Sequence, residues 1–95
     1  MPTYFAARWH HDGDQKPVLL YEELDDQRHE TRKVHEFRDG RLERTDRVAL
    51  ELSTTLSDVP VPTEGEIDAQ PHFTVLSLSA EAFEAAWHRA TAPPD

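Results

Sequence analysis

PVLLYEELDDQRHETRKVHEFRDGRL, residues 17–42, decides the fold. An apolar run (Val18 to Leu20) leads into a turn cluster (Asp25, Asp26, Gln27). A charged segment follows from Arg28 to Phe37, then Asp39-Gly40, and a new segment opens at Arg41. Asp-Gly between two extended runs is a strong hairpin signal, because a two-residue type I′ turn needs positive φ at both centres. Within the charged segment only Val34 and Phe37 are clearly apolar. The flanking turn signals and the β-branched Thr31 and Val34 nonetheless favour strand over helix. The middle of the chain reads as a β-meander.

On the N-terminal side, residues 3–10 alternate. Thr3, Phe5, Ala7 and Trp9 fall on one face, and Tyr4, Ala6, Arg8 and His10 on the other. This period of two marks a half-buried strand. His11 to Lys16 form a polar turn around Gly13, and Pro17 opens a second strand that runs to about Leu24. On the C-terminal side, the strand opening at Arg41 either runs long through Val48, Leu50 and Leu52 or breaks near Asp46 and resumes. Pro60 and Pro62 punctuate a loop over residues 53–62. Thr63 to Glu66 carries the Thr-x-x-Glu capping-box pattern, so a helix of two turns or fewer is expected to about Ala69, where Gln70-Pro71 stops it. Phe73 to Leu78 alternates as a last strand. Ser79 is a good N-cap. After it, Phe83, Ala86, Trp87 and Ala90 recur at helical spacing and form the clearest amphipathic helix of the chain.

The expected fold is α+β. A twisted antiparallel sheet of about five strands begins with the N-terminal meander, and a short helix and a C-terminal amphipathic helix pack on one face. Residues 3–90 form a single domain and 91–95 a frayed tail. Phe5, Trp9, Leu20, Phe37, Phe83 and Trp87 are the expected core.

Composition bounds the function. Ninety-five residues bury roughly 60–65% of the unfolded surface, enough for one modest core. Cysteine is absent, which excludes disulfides and thiolate metal sites and fits a reducing, cytoplasmic setting. Asparagine is absent too, and Arg8 and His10 break the first apolar stretch, so neither N-glycosylation nor a signal peptide is expected. No apolar run has the length of a membrane span.

The net charge of −9 is unevenly placed: residues 1–47 hold nine Lys/Arg against eleven Asp/Glu, and residues 48–95 hold Arg89 alone against eight. Such a balance repels nucleic-acid phosphates and anionic membranes and attracts a basic partner. It also serves simple solubility. Six histidines invite a metal hypothesis, but none of their spacings matches a ligand motif. No metal, cofactor or catalytic motif is expected.

Two sets of candidate residues follow. His10, Tyr21, Glu23, Arg28 and Arg32 are charged or aromatic groups on or beside paired strands, candidates for a polar concavity that holds a ligand. The bland alternative is a ladder of cross-strand ion pairs. Glu51, Asp58, Glu64, Glu66 and Asp68 carry the uncompensated negative charge and are candidates for a surface that captures a protein partner, with the chain itself a monomer or weak homodimer.

The order Trp9-His10-His11-Asp12, then Pro17 to Asp25, then Arg32-Lys33-Val34-x-x-Phe37-x-Asp39-Gly40, then Glu81-x-Phe83-Glu84-x-x-Trp87 resembles the DUF6881-like family of small bacterial domains of unknown function. The resemblance spans Tyr4 to Arg89 and implies a stand-alone protein of this size. It implies no catalytic residue. By the resemblance, His29 and Thr31 stand at positions where larger apolar residues are common. By size and charge, a small acidic domain of this kind fits an immunity protein or inhibitor of a toxin or effector. A small-ligand binder or enzyme using His10, Tyr21, Glu23 and Arg32 is the alternative.

Overall fold

Alternating side chains give every strand two faces, and in this protein both faces are covered. The computed structural model describes residues 1–13, 15–46 and 60–90. Its strands are β1 (Thr3–Trp9), β2 (Leu19–Leu24), β3 (Glu30–Glu36), β4 (Leu42–Asp46) and β5 (Phe73–Ser77); its helices are α1 (Glu64–Asp68) and α2 (Ala80–Arg89). All strand pairs are antiparallel, in the order β4-β3-β2-β1-β5. The first four strands form the expected meander, and β5 returns to the free edge of β1. No helix among the described residues is long and apolar enough to cross a membrane.

Two of the three hairpins of the meander, β2–β3 and β3–β4, close on the same kind of turn. In Asp25–Arg28 the Arg28 N–H donates to Asp25 O (3.0 Å) and the Asp25 N–H to His29 O (2.9 Å). In Phe37–Gly40 the Gly40 N–H donates to Phe37 O (2.9 Å) and the Phe37 N–H to Arg41 O (2.8 Å). Positive φ occurs only at the last residue of each turn, Arg28 (65°) and Gly40 (91°). This is a three-residue loop ending in a bulge, not the two-residue type I′ turn expected at Asp39-Gly40. Asp39 keeps a negative φ and instead accepts the Arg41 N–H on its carboxylate (3.0 Å). Left-handed backbone at Arg28 costs roughly 1–2 kcal/mol. Its guanidinium offsets this by donating to Val61 O (2.9 Å), Pro62 O (2.7 Å) and Glu64 (2.6 Å).

Register assigns the faces. Phe5, Ala7, Leu20, Glu22, Leu24, Lys33, His35, Phe73 and Val75 share one parity; Tyr4, Ala6, Tyr21, Glu23, Arg32, Val34 and Arg44 share the other. On the first face Ile67 of α1 joins Phe5, Ala7 and Leu24, with Val61, Phe73 and Val75 packed against them. On the second, α2 lays Phe83 on Tyr4 (ring centroids 5.4 Å apart) and Glu84 against Arg32. The two helices thus lie on opposite faces rather than sharing one. The sequence periodicity of each helix identifies an apolar stripe but not the side of the sheet that receives it.

The caps are as read. Thr63 and Glu66 form a reciprocal capping box on α1, and Ser79 Oγ accepts the Ala82 N–H (3.0 Å) at the start of α2. Phe5, Phe37 and Phe83 are buried. Trp9, Leu20 and Trp87 are only half-buried. Both indoles lie under cations. Lys16 Nζ sits 5.6 Å from the Trp9 ring, and the guanidinium carbons of Arg32 and Arg44 lie 4.9 and 4.7 Å from the Trp87 ring. Smaller residues take their place in the core, among them Ala6, Ala7, Val34 and Ala86. Val48, Leu50 and Leu52 and the tail 91–95 lie outside the described residues.

Candidate functional site

Neighbouring glutamates on a strand point to opposite faces, and Glu22 and Glu23 meet opposite chemistry. Glu23 lies under α2. It accepts from Arg32 Nε (2.9 Å) and Nη2 (2.7 Å), from Tyr4 Oη (2.9 Å) and from Thr31 Oγ1 (2.7 Å). Arg32 also pairs with Glu84 and stacks over Phe83 at 4.9 Å. Above all the Arg32 hydrogen bonds, then those from Thr31 and Tyr4, hold the Glu23 carboxyl at about 2 against the opposing effect of burial. Thr31 completes this carboxylate's shell.

Glu22 lies on the other face, at the parity of Leu20 and Leu24. It is 5% exposed, as is Glu30 across the strand pair. Burial first, and then its hydrogen bond to the Glu30 carboxyl, push the Glu22 carboxyl well above the ordinary range. Lys33 Nζ stands 3.4 Å from Glu30 Oε1, and the adjacent His35 is pushed down to about 4, chiefly by burial. Glu22 Oε1 is buried without a hydrogen-bond partner among the described residues. It borders a cavity of about 230 Å³ lined also by Glu30, Gln70 and the apolar Phe5, Ala7, Leu20, Val61, Pro62, Ile67 and Phe73.

The raised Glu22 carboxyl has a measurable consequence. Its raised carboxyl value means that its contribution to stability is complete below the unfolded value of about 4.5 and is lost as pH rises through the folded value. Glutamine reproduces the shape of the protonated acid, donates to Glu30 and does not titrate. Glu22→Gln is therefore expected to match wild type in urea denaturation near pH 5 and to exceed it increasingly toward about pH 9. A stability difference independent of pH would contradict a proton held at Glu22.

The structure brings together only some of the residues singled out in the sequence. Glu23 and Arg32 meet, but as a closed ion pair under α2. Tyr21 shares their face and donates to Glu36 instead (2.8 Å). His10, just past the end of β1, stands six residues from Tyr4, the partner of Glu23, which is roughly 20 Å at strand rise. It bonds Thr74 Oγ1 (2.8 Å) beside an open polar concavity with Arg8, Glu36 and Arg38. Arg28 fastens the 60–64 segment.

Of the acidic set, Glu64 pairs with Arg28, Glu66 closes the capping box, and Asp68 accepts the Val75 N–H (2.9 Å). Glu51 and Asp58 lie outside the described residues. The Glu22–Glu30 pair is the feature that the sequence reading passed over. Its signal was a glutamate standing between Leu20 and Leu24 in an otherwise apolar stripe.

Residues 3–92 match the family described as a domain of unknown function, DUF6881. The chain belongs to the DUF6881 family. No curated protein and no solved structure matches it. What a DUF6881 chain does must therefore be argued from its own cavities and charges. Of these, the Glu22 cavity is where an apolar wall and a buried polar atom without a partner coincide.

Proposed function

We propose that this DUF6881 domain is a small-ligand-binding module, with its site in the cavity between the sheet and the 61–70 segment. One observation carries the reading: Glu22 Oε1, buried and without a partner among the described residues, borders an apolar cavity. Buried polar atoms are almost always hydrogen-bonded, and an exception calls for an explanation. A ligand with an apolar body and a hydrogen-bond donor supplies the missing bond. Such sites are typically apolar walls with a few placed polar groups. The volume suits one ring, since an apolar cavity of about 150 Å³ accepts benzene in another protein.

Binding rather than catalysis is the reading, because among the cavity's described lining residues only Gln70 adds a polar side chain to the acid pair. Capture of a basic protein by the acidic half draws less support. Glu64, Glu66 and Asp68 serve internal contacts, which leaves net charge as its basis. A cytoplasmic protein, monomeric or weakly dimeric and without affinity for nucleic acid, completes the proposal.

Benzyl alcohol is a suitable neutral probe. In amide NMR spectra it is expected to shift Phe5, Ala7, Leu20, Ile67 and Phe73 in wild type. Ala7→Leu fills the cavity from β1 and should abolish those shifts while the protein stays folded. Shifts scattered over the surface, shifts retained in the variant, or none at all would contradict the site.

A further inference from the structure

Glu22 Oε1 stands at the cavity wall but is itself buried, and Phe5, Ala7, Glu30 and Ile67 around the cavity are buried too. A ligand bonds that oxygen only where part of the wall gives way. The sheet side is fixed: β1 pairs with β2 and β5, and β2 pairs with β1 and β3. Among the described lining residues, the other side is the 61–70 segment, which carries Val61, Pro62, Ile67 and Gln70 across the sheet.

This segment is a strap fixed at its ends. At one end the Val61 N–H donates to Arg28 O (2.7 Å), and the Arg28 guanidinium donates to Val61 O, Pro62 O and the Glu64 carboxylate. At the other end Gln70 O accepts the Phe73 N–H (3.2 Å) and Asp68 Oδ1 accepts the Val75 N–H (2.9 Å), both from β5. Between them α1 is a short unit closed by its capping box, with Ile67 set against Phe5, Ala7 and Leu24. The two anchors differ in strength. The β5 anchor uses strand N–H groups, and the chain itself joins Gln70 to Phe73 within three residues. The other anchor depends mainly on one side chain. Its ion pair with Glu64 is partly solvated, the two side chains being 26% and 42% exposed, and such pairs hold weakly.

We propose, on the reading that this cavity is the ligand site, that residues 61–70 open at the Arg28 end and turn about the β5 anchor to admit ligand to Glu22, with Arg28 as the latch. A latch of this kind governs rates rather than affinity. Ligand enters and leaves only through the open form, so a looser latch raises both rate constants by the same factor. Their ratio holds while the closed form stays dominant. A residue that only supports the fold acts differently: its loss weakens binding with no gain in the rate of entry.

Arg28→Gly tests this. Glycine suits the left-handed φ of 65° at this position and keeps the carbonyl that receives Val61, so only the guanidinium's bonds are lost. Amide line shapes and relaxation dispersion at Phe5, Ala7 and Ile67 through a benzyl alcohol titration give both rate constants. In Arg28→Gly both are expected to rise at least about tenfold, with Kd within about threefold of wild type. Glu64→Gln, which leaves Arg28 in place, is expected to raise both about threefold. The Phe73 and Val75 amides should keep their hydrogen-exchange protection in Arg28→Gly. Unchanged rates in either variant, a weaker Kd without faster entry, or lost protection at Phe73 and Val75 would overturn the latch and leave the cavity reading standing. Failure of benzyl alcohol to bind wild type would overturn both.

Discussion

Replacing Phe83 with Ala is expected to cost about 3–5 kcal/mol, the range for a fully buried aromatic. Phe83 is 0% exposed and is the largest fully buried side chain among the described residues. It meets Tyr4 from β1, Trp87 one turn on (ring centroids 6.3 Å apart) and the Arg32 guanidinium. A domain of this length has only about 5–14 kcal/mol of stability in total, and each kcal/mol lowers the melting temperature by about 4–8 °C. Thermal unfolding of Phe83→Ala should thus fall by more than about 12 °C. Trp87→Ala should cost less, because that ring is half-buried and part of its cover is guanidinium rather than packed hydrocarbon. A Phe83 variant that melts with wild type, or a larger loss from Trp87, would contradict the seating of α2 on this face.

Arg32→Ala is expected to be as damaging by a different route. It leaves Glu23, 9% exposed, as a buried carboxylate with only Tyr4 and Thr31 as donors. Breaking one side of a buried pair typically costs about 3–5 kcal/mol. The position of the Glu23 carboxyl gives an independent scale: a fall from 4.5 to about 2 corresponds to about 3 kcal/mol.

Because the folded value is depressed, this stability is present above the unfolded value and is lost as pH falls from about 4.5 through about 2. The acid limb of the wild-type stability profile should show this loss, and Arg32→Ala should flatten it. Glu23→Gln introduced into Arg32→Ala should recover part of the stability, with a coupling of about 1–3 kcal/mol in the double-mutant cycle. Urea denaturation across the acid range measures all of this. An Arg32→Ala protein with unchanged stability and an unchanged acid limb would show that the ion pair is only a surface contact. Glu84 adds less, since its side chain is 42% exposed and pairs of that kind contribute little.

The local devices of the fold were legible in the sequence because each is encoded by adjacent residues. Asp25-Asp26-Gln27 and Asp39-Gly40 placed two of the three hairpins, Thr63-x-x-Glu66 and Ser79 placed both helix starts, and alternation placed β1 and β5 to within a residue. The turn class at Asp39-Gly40 was misread because a bulge loop and a type I′ turn share the same residues. They differ only in which of them carries positive φ. Strand order beyond the meander and the face taken by each helix are decided by long-range packing, which leaves no local mark.

The polar face pair of Glu23 and Arg32 was found for the right reason, cross-strand charge, but its role depends on α2 lying over it. Glu22 was missed because a glutamate in a charged stretch reads as solvated. Only its parity with Leu20 and Leu24 tells otherwise, and only the arrival of α1 turns that parity into burial.

The central claim is that adjacent glutamates on one strand have carboxyls shifted in opposite directions, Glu23 downward under α2 and Glu22 upward at the cavity wall. Carboxyl-carbon NMR through a pH titration of wild type observes both at once. The account predicts that the Glu23 signal moves only near about pH 2, and that the Glu22 signal moves well above the ordinary carboxyl range. Two glutamates that titrate together near about pH 4.5, the value of a free side chain, would contradict it.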